Sequence, residues 1–442
     1  MENSFKIIDV NNDGFGVAKN DGIVYFVKNG CLEDEVSIKD LKNKKRYIVC
    51  KVDEVLKESN FKIKSKCEYF GICKNCIFQN LMYERELDFK KNKVIKNLEK
   101  LAKLNLEEFK EKIEIVAFED VGYRNKIELK VKDNSLGYFK RKTNDIVKIK
   151  RCNIADEDIN KVINRLSNEK ELLKYFSEIY IRKSKYKNML QINFSLKDKY
   201  KIIEELEKEV INILRNIENE TENKNEEEIN IAEIYLSSKK EKINKLIMQK
   251  EEFLMQFLEY KFKTHPKSFF QVNTKMAEKI YKDIKNEISK IQNGKEGKLL
   301  DLYSGVGVSS VIFSDIFKEI ISIEINKEAV EAAKENAKRE NKNNIKFIQG
   351  KVEEEILKQE INENDFIFVD PPRAGLNKNV IDKIIESNIK KLIYMSCSSD
   401  TLARDIKLLN SAGYNLKYIK IYDMFPRTLH VESVSIIQKI QV

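Results

Sequence analysis

The stretch KLLDLYSGVGVSS, Lys298 to Ser310, fixes the architecture of the second half of the chain. An apolar run carries Asp301 and ends at Tyr303, Gly305 and Gly307 follow, and the pattern then turns helical. Two glycines at that point let the backbone turn sharply and approach a ligand where a strand hands over to a helix. Outward from it, the apolar runs ISIEI, IKFIQ, FIFVD and LIYMSC recur, with helical stretches such as KEAVEAAKENAKREN between them. Strands alternating with helices predict a parallel, doubly wound, Rossmann-like sheet over residues 262–442.

In open α/β sheets ligands sit at the carboxyl ends of the strands. The run ISIEI carries Glu324, 19 residues beyond Gly305, an offset at which a carboxylate accepts hydrogen bonds from both ribose hydroxyls of a nucleoside cofactor. A dinucleotide would favour a third glycine where Ser310 stands, and no second nucleotide half is visible. S-adenosylmethionine needs no pyrophosphate cradle and fits better. FIFVDPPRAGL adds Asp370 before Pro371 and Pro372, a stiff turn that fixes a carboxylate beside the methyl donor. Amino-group methyltransferases often carry an aromatic residue after such a turn. Arg373 in that place argues against an exocyclic amine as the target.

The first 260 residues differ in kind. Residues 1–60 hold four of the 14 glycines (Gly14, Gly16, Gly22, Gly30) among strand-forming runs such as GIVYFV and RYIVCKV, which predicts a small all-β barrel or sheet. Leu87, Val94, Leu98 and Leu101 recur at helical spacing and predict a linking helix over 83–104. KIELKV, IYIRKS and MLQINFSL read as strands of a mixed α/β central domain, 61–261, and a charged helix from 201 dissolves into the acidic run NETENKNEEE.

Of the net charge of +10, residues 61–152 supply +9, from 23 basic and 14 acidic residues. A field of that sign suits a polyanion such as nucleic acid. A lysine-rich, AT-biased composition is the alternative cause. The N-terminus has neither the basic start nor the apolar core of a leader, and no run is long enough to span a bilayer, so a cytoplasmic protein is expected. Seven cysteines there are read first as metal ligands or catalytic groups rather than disulfides. Cys67, Cys73 and Cys76 in CEYFGICKNC can offer three thiolates to a metal, with Cys152 of KIKRCNIA a candidate fourth ligand. By spacing alone zinc and an iron–sulfur cluster fit equally. Cys31 and Cys50 have no partner at ligand spacing and read as buried thiols.

These motifs together resemble the S-adenosylmethionine-dependent RNA uracil-5 methyltransferases, in particular the iron–sulfur type that modifies 23S ribosomal RNA. DGFGVAKNDGIVYFV resembles the N-terminal TRAM domain of that family, an OB-like RNA-binding barrel, and CEYFGICKNC with Cys152 resembles its [4Fe-4S] ligand set. SFFQVN, DLYSGVG, FVDPPRAGL, YMSCSSDTLARD and DMFPRTLHVESV resemble its catalytic motifs in order. The resemblance implies that Gln271, Tyr303, Glu324 and Asp370, with the Gly305 turn, contact the cofactor, that Cys397 is the nucleophile and that Glu432 is the general base. Departures include Lys74–Asn75 in place of a glycine pair, Ser304 before Gly305, and Ser398–Ser399 after the nucleophile.

The implied chemistry suits these groups. A thiolate adding to C6 of uracil raises electron density at C5, which can then attack an electrophilic methyl group. A base must remove the surplus C5 proton before the thiol leaves. Phe269 or Phe270 could stack on the base, and Arg124, in GYRNKIEL, could polarise it or hold phosphate. His430, one of two histidines, reads as a neighbour orienting its loop rather than as the base. The expected partner is RNA: 23S rRNA first, or tRNA, since some archaeal tRNA enzymes also carry the barrel and the cluster. A monomer is expected. A methyltransferase for another target and a non-catalytic RNA-binding factor are the other readings, and the joint presence of Cys397, Asp370 and Glu432 speaks against the last.

Overall fold

The computed structural model describes residues 4–107, 110–222, 229–292 and 297–439. They divide into two compact units, the first comprising residues 1–90, 138–147 and 425–429, the second 91–137, 148–424 and 430–442.

The first unit holds a six-stranded sheet in the order Phe5–Lys6, Glu35–Asn43, Ile48–Lys57, Ile23–Lys28, Gly16–Asn20, Asp9–Val10. The expected OB-like barrel is corrected here. The two edge strands, Phe5–Lys6 and Asp9–Val10, are not paired with each other, so the sheet stays open. Both edges come from one short stretch: Ile7 bonds to the Asp34 carbonyl and Ile8 to that of Val17, so the sheet must curve back on itself without closing. Phe5, Ile7, Ala18, Val27, Val36 and Cys50 fill its core. A second apolar cluster joins Cys31 and Leu32 to Phe78, Leu81, Phe89 and Leu429. Arg427, buried, ties these pieces together by donating to the Phe78 and Leu81 carbonyls, while its backbone N–H donates to Glu86. Cys31 and Cys50 are buried thiols, as the sequence suggested.

The helix expected over 83–104 spans Tyr83–Lys100. Val94 and Leu98 are fully buried, but Leu101 lies beyond the helix end and is exposed. The charged helix from 201 runs over Glu204–Glu222. The end of the acidic run, residues 223–228, lies outside the described residues.

In the second unit the strands Lys126–Lys132, Phe176–Lys183, Met189–Leu196, Asn230–Ser238 and Ile243–Gln249 lie side by side in that order. Strand alternation gives this sheet one apolar face, with Ile179, Ile181, Ile192 and Phe194, and one polar face, with Tyr180, Arg182, Asn193 and Tyr235. The other sheet of this unit is the one the glycine turn announced. Its strands are β1 (Lys298–Leu302), β2 (Glu319–Glu324), β3 (Ile345–Gln349), β4 (Phe366–Val369), β5 (Lys391–Ser396), β6 (Tyr414–Tyr422) and β7 (Glu432–Lys439). They stand in the order 3-2-1-4-5-7-6, followed by Ile115–Val116. Strands β1 to β5 are parallel and β7 runs against β5 and β6. Near-continuous apolar runs such as FIFV in β4 follow from burial on both faces. The order reverses between β1 and β4, so the carboxyl ends of these strands flank the crevice where this architecture takes ligands.

Candidate active site

At the end of β1, Asp301 is wholly buried, and Ser309 donates to its Oδ2 at 2.6 Å, with Ser310 donating to the same oxygen. Burial pushes the Asp301 carboxyl up to about 6 against these hydroxyls, and its Oδ1 has no hydrogen-bond partner. Ser310, which reads in sequence as a missing third glycine, thus supplies a donor to a buried carboxylate. Tyr303 follows with φ of 65°, a strained value for a non-glycine residue. Gly307, with φ of 81°, starts the Val308–Phe313 helix, and a Cβ there would lie 2.9 Å from the Ala333 Cβ. Only glycine meets both demands.

Glu324 ends β2. Its carboxylate accepts the Gly305 N–H at 3.0 Å and the Asn326 N–H at 2.8 Å, which fixes it and leaves lone pairs over. A Cβ on Gly305 would meet nothing within 4 Å, so the turn is open to a ligand. An anchored acid beside an open glycine turn fits the ribose of a nucleoside cofactor.

The next two strand ends carry the chemistry-bearing groups. Asp370 follows β4, and Gly375 N–H donates to the Pro372 carbonyl in the turn beyond it. Cys397 follows β5. Because β7 is antiparallel to β5, with Ser396 opposite Ser433, Glu432 enters its strand at the end where Cys397 leaves. Burial pushes the Cys397 thiol up to about 11; Glu432 and Asp370 add to this and Arg373 opposes it. Burial, with a smaller contribution from Asp301, pushes Asp370 up to about 7. Burial and then Asp370 hold Glu432 well above the usual carboxylate range, again against Arg373. Cys397 therefore senses Glu432, Asp370 and Arg373, and Glu432 senses Asp370 and Arg373. Glu432 Oε1 is buried with no hydrogen-bond partner.

Three contacts in this region were not legible in the sequence. Arg373 Nη2 lies 3.1 Å from His430 Nε2, 57 residues away, which joins the Asp-Pro-Pro-Arg turn to the loop before Glu432. Asp405, fully buried, accepts the Tyr394 hydroxyl and the Leu376 N–H, each at 2.8 Å, bracing β5 against the same turn. Asp405 was visible only as the last residue of YMSCSSDTLARD.

Of the other expected residues, Phe269 is 70% exposed, whereas Phe270 is buried against Phe257 and Phe262. Gln271 lies in the same loop, its carbonyl accepting the Asn125 amide at 3.0 Å. Arg124 is half-buried and donates through Nε to the Lys126 carbonyl at 2.9 Å, so it is not the freely solvated charge that is the default for an arginine.

Among the described residues no three His, Cys, Asp or Glu side chains are grouped to hold a metal ion. Cys67, Cys73 and Cys76 belong to the first unit and Cys152 to the second. In the loop that carries the first three, Cys73 forms a β-bridge with Lys140, and Arg141 donates to the Cys76 carbonyl.

A 3-2-1-4-5-7-6 sheet carrying a ribose-type acid, a buried aspartate and a thiol on successive strand ends defines a Rossmann-like methyltransferase. The chain belongs to the tRNA (uracil-5-)-methyltransferase family, whose sequence pattern matches residues 82–440, and is accordingly an S-adenosylmethionine-dependent RNA methyltransferase. It is 32% identical to an uncharacterized RNA methyltransferase of Caldanaerobacter subterraneus over 98% of both chains, and 33% identical to one of Fusobacterium nucleatum over 96% of this chain and 93% of the other. Its fold is similar to that of Pyrococcus abyssi tRNA (uracil-54, C5)-methyltransferase, solved in complex with S-adenosyl-L-homocysteine, with a TM-score of 0.74 at 24% identity, covering 98% of this chain and 100% of that one. Among the described residues no helix is long and apolar enough to cross a membrane.

Proposed function

We propose that the enzyme methylates C5 of a uridine in 23S rRNA through a covalent bond between Cys397 and C6 of the base. The observation that carries this reading is the antiparallel β5–β7 pairing, which brings Cys397 and Glu432 to one end of the sheet, next to Asp370. S-adenosylmethionine, when bound, supplies the electrophilic methyl group; Glu324, the Gly305 turn, Tyr303, Gln271 and Asp370 would hold it. The Cys397 thiolate adds to C6, and Arg373 favours that thiolate. Glu432 takes the C5 proton. Its burial makes the ionised carboxylate a strong base, and its unpartnered Oε1 is free to receive the proton. Asp370 hydrogen-bonds the uracil edge, Phe269 stacks on a base, and Arg124 contacts the base or its phosphate.

The organisation 1–60, 61–261 and 262–442 belongs to this reading, with the N-terminal sheet as a TRAM-type RNA-binding element. So does a [4Fe-4S] cluster on Cys67, Cys73, Cys76 and Cys152, which iron and sulfide analysis of anaerobically purified protein tests independently of activity. The ribosomal target is drawn from the resemblance of the whole chain to the iron–sulfur type, and tRNA is the second reading, favoured by the family description. Methyl transfer from labelled S-adenosylmethionine to separated tRNA and 23S rRNA, followed by nucleoside mass analysis, decides between them. 5-Methyluridine in the 23S fraction is expected; its absence from both fractions would overturn the reading.

A further inference from the structure

Four cationic side chains lie in or around the loop that presents Phe269, and among the described residues none of them is bonded to a carboxylate. Lys126 Nζ donates to the Ser268 carbonyl at 3.2 Å, and the Arg182 guanidinium donates to that same oxygen and to the His265 carbonyl at 3.0 Å. Lys267 Nζ donates to Ser237 Oγ at 3.0 Å, and Arg124 to the Lys126 carbonyl. The ammonium groups of Lys126 and Lys267 converge on one ring, 5.8 and 5.6 Å from the centroid of Tyr180. The nearest acids, Glu128 and Glu178, are already paired with Lys130 and Lys239.

Such a cluster is unfavourable by itself. Arg182 is 1% exposed, so its charge is buried, and among the described residues it has no ion-pair partner and its Nε no hydrogen-bond partner. Burial, with repulsion from Arg182, lowers the Lys126 ammonium to about 7. Lys267 is lowered too, first by burial. Glu128 and Glu178 offset this field only in part, being shared with Lys130 and Lys239, and a focused positive field left over is stabilised by an anion from outside the chain. The exposed Phe269 is on the adjoining turn, so an anion here would be attached to a base within reach of that ring.

We infer that Lys126 and Lys267 form a phosphodiester site for the RNA strand adjoining the target uridine, on the polar face of the central sheet. This rests on the reading of Phe269 as an RNA-stacking residue. The test uses the full-length protein and the double variant Lys126→Gln/Lys267→Gln, with filter binding to a 23S rRNA transcript across a potassium chloride series. Loss of two phosphate contacts flattens the slope of log affinity against log salt by roughly 1.4 and weakens binding at low salt by about tenfold or more. An unchanged slope overturns the inference, including a case in which affinity falls, since a repacked loop without lost phosphate contacts would give that result. The parent reading fails separately: if the wild type formed no 5-methyluridine while the variant still lost salt dependence, the phosphate site would stand and the methylation target would not.

Discussion

Glu324 accepts the backbone N–H of Gly305 at 3.0 Å, across the 19 residues that separate the ends of β1 and β2. That bond turns two strand ends into one rim and fixes the orientation of the carboxylate. Replacing Glu324 by Ala removes a charged acceptor, for which such bonds contribute about 1.5–3 kcal/mol. S-adenosylhomocysteine should therefore bind about tenfold more weakly or worse by calorimetry, and wild-type affinity in the variant would remove Glu324 from the cofactor site.

Gly307 tests the turn itself. An alanine there must hold φ of 81° and push its Cβ to 2.9 Å from that of Ala333. Gly307→Ala should cost about 1–3 kcal/mol, read as a lower urea midpoint for the second unit. An unshifted midpoint would mean that the turn relaxes freely.

Asp370 links the site to pH. Its folded pKa is raised to about 7 by burial, so the folded chain holds a proton that the unfolded chain has released. The associated stability is complete below the ordinary carboxylate range and is lost as pH rises through about 7. Asp370→Asn should abolish methylation yet raise the unfolding midpoint by about 2 °C or more near pH 8, with a smaller gain near pH 5. An equal gain at both values would show that the carboxyl is not held protonated.

Arg373 opposes the acids around Cys397. With the thiol near 11, alkylation of Cys397 by iodoacetamide, followed by peptide mass mapping, should rise about tenfold per pH unit between about pH 7 and 9. Arg373→Gln should slow it at every pH. A plateau already reached near neutral pH would mean that the thiolate forms without help from bound RNA.

The doubly wound sheet was legible because buried parallel strands advertise themselves as apolar runs, and because glycine is required where β1 turns into its helix. The acids at strand ends were legible for the same reason: their spacing is set by one strand–helix–strand unit. Ladder closure in the first unit was not, since glycines and alternation specify strands but not whether Phe5–Lys6 meets Asp9–Val10. Nor was the Leu101 position, where the helical period continued one residue past the helix end. The contacts that shape the site, Arg373 to His430 and Asp405 to Tyr394 and Leu376, join residues far apart in the chain or depend on which side of a turn a side chain leaves. Lys126 and Arg182 stand in the strand runs KIELKV and IYIRKS with no neighbouring residue that marks them out. Their convergence on the Ser268 carbonyl comes from the pairing of two strands and the loop laid over them.

The most direct measurement concerns Cys397 and C6 of uracil. In RNA carrying 5-fluorouridine at the target position the C5 fluorine cannot leave as the proton does, so the thioether bond should persist after methyl transfer. With the wild type and S-adenosylmethionine, a protein–RNA complex stable on a denaturing gel is expected, and with Cys397→Ala none. A complex that persists in Cys397→Ala, or none with an active wild-type enzyme, would contradict the assignment of this thiol as the nucleophile.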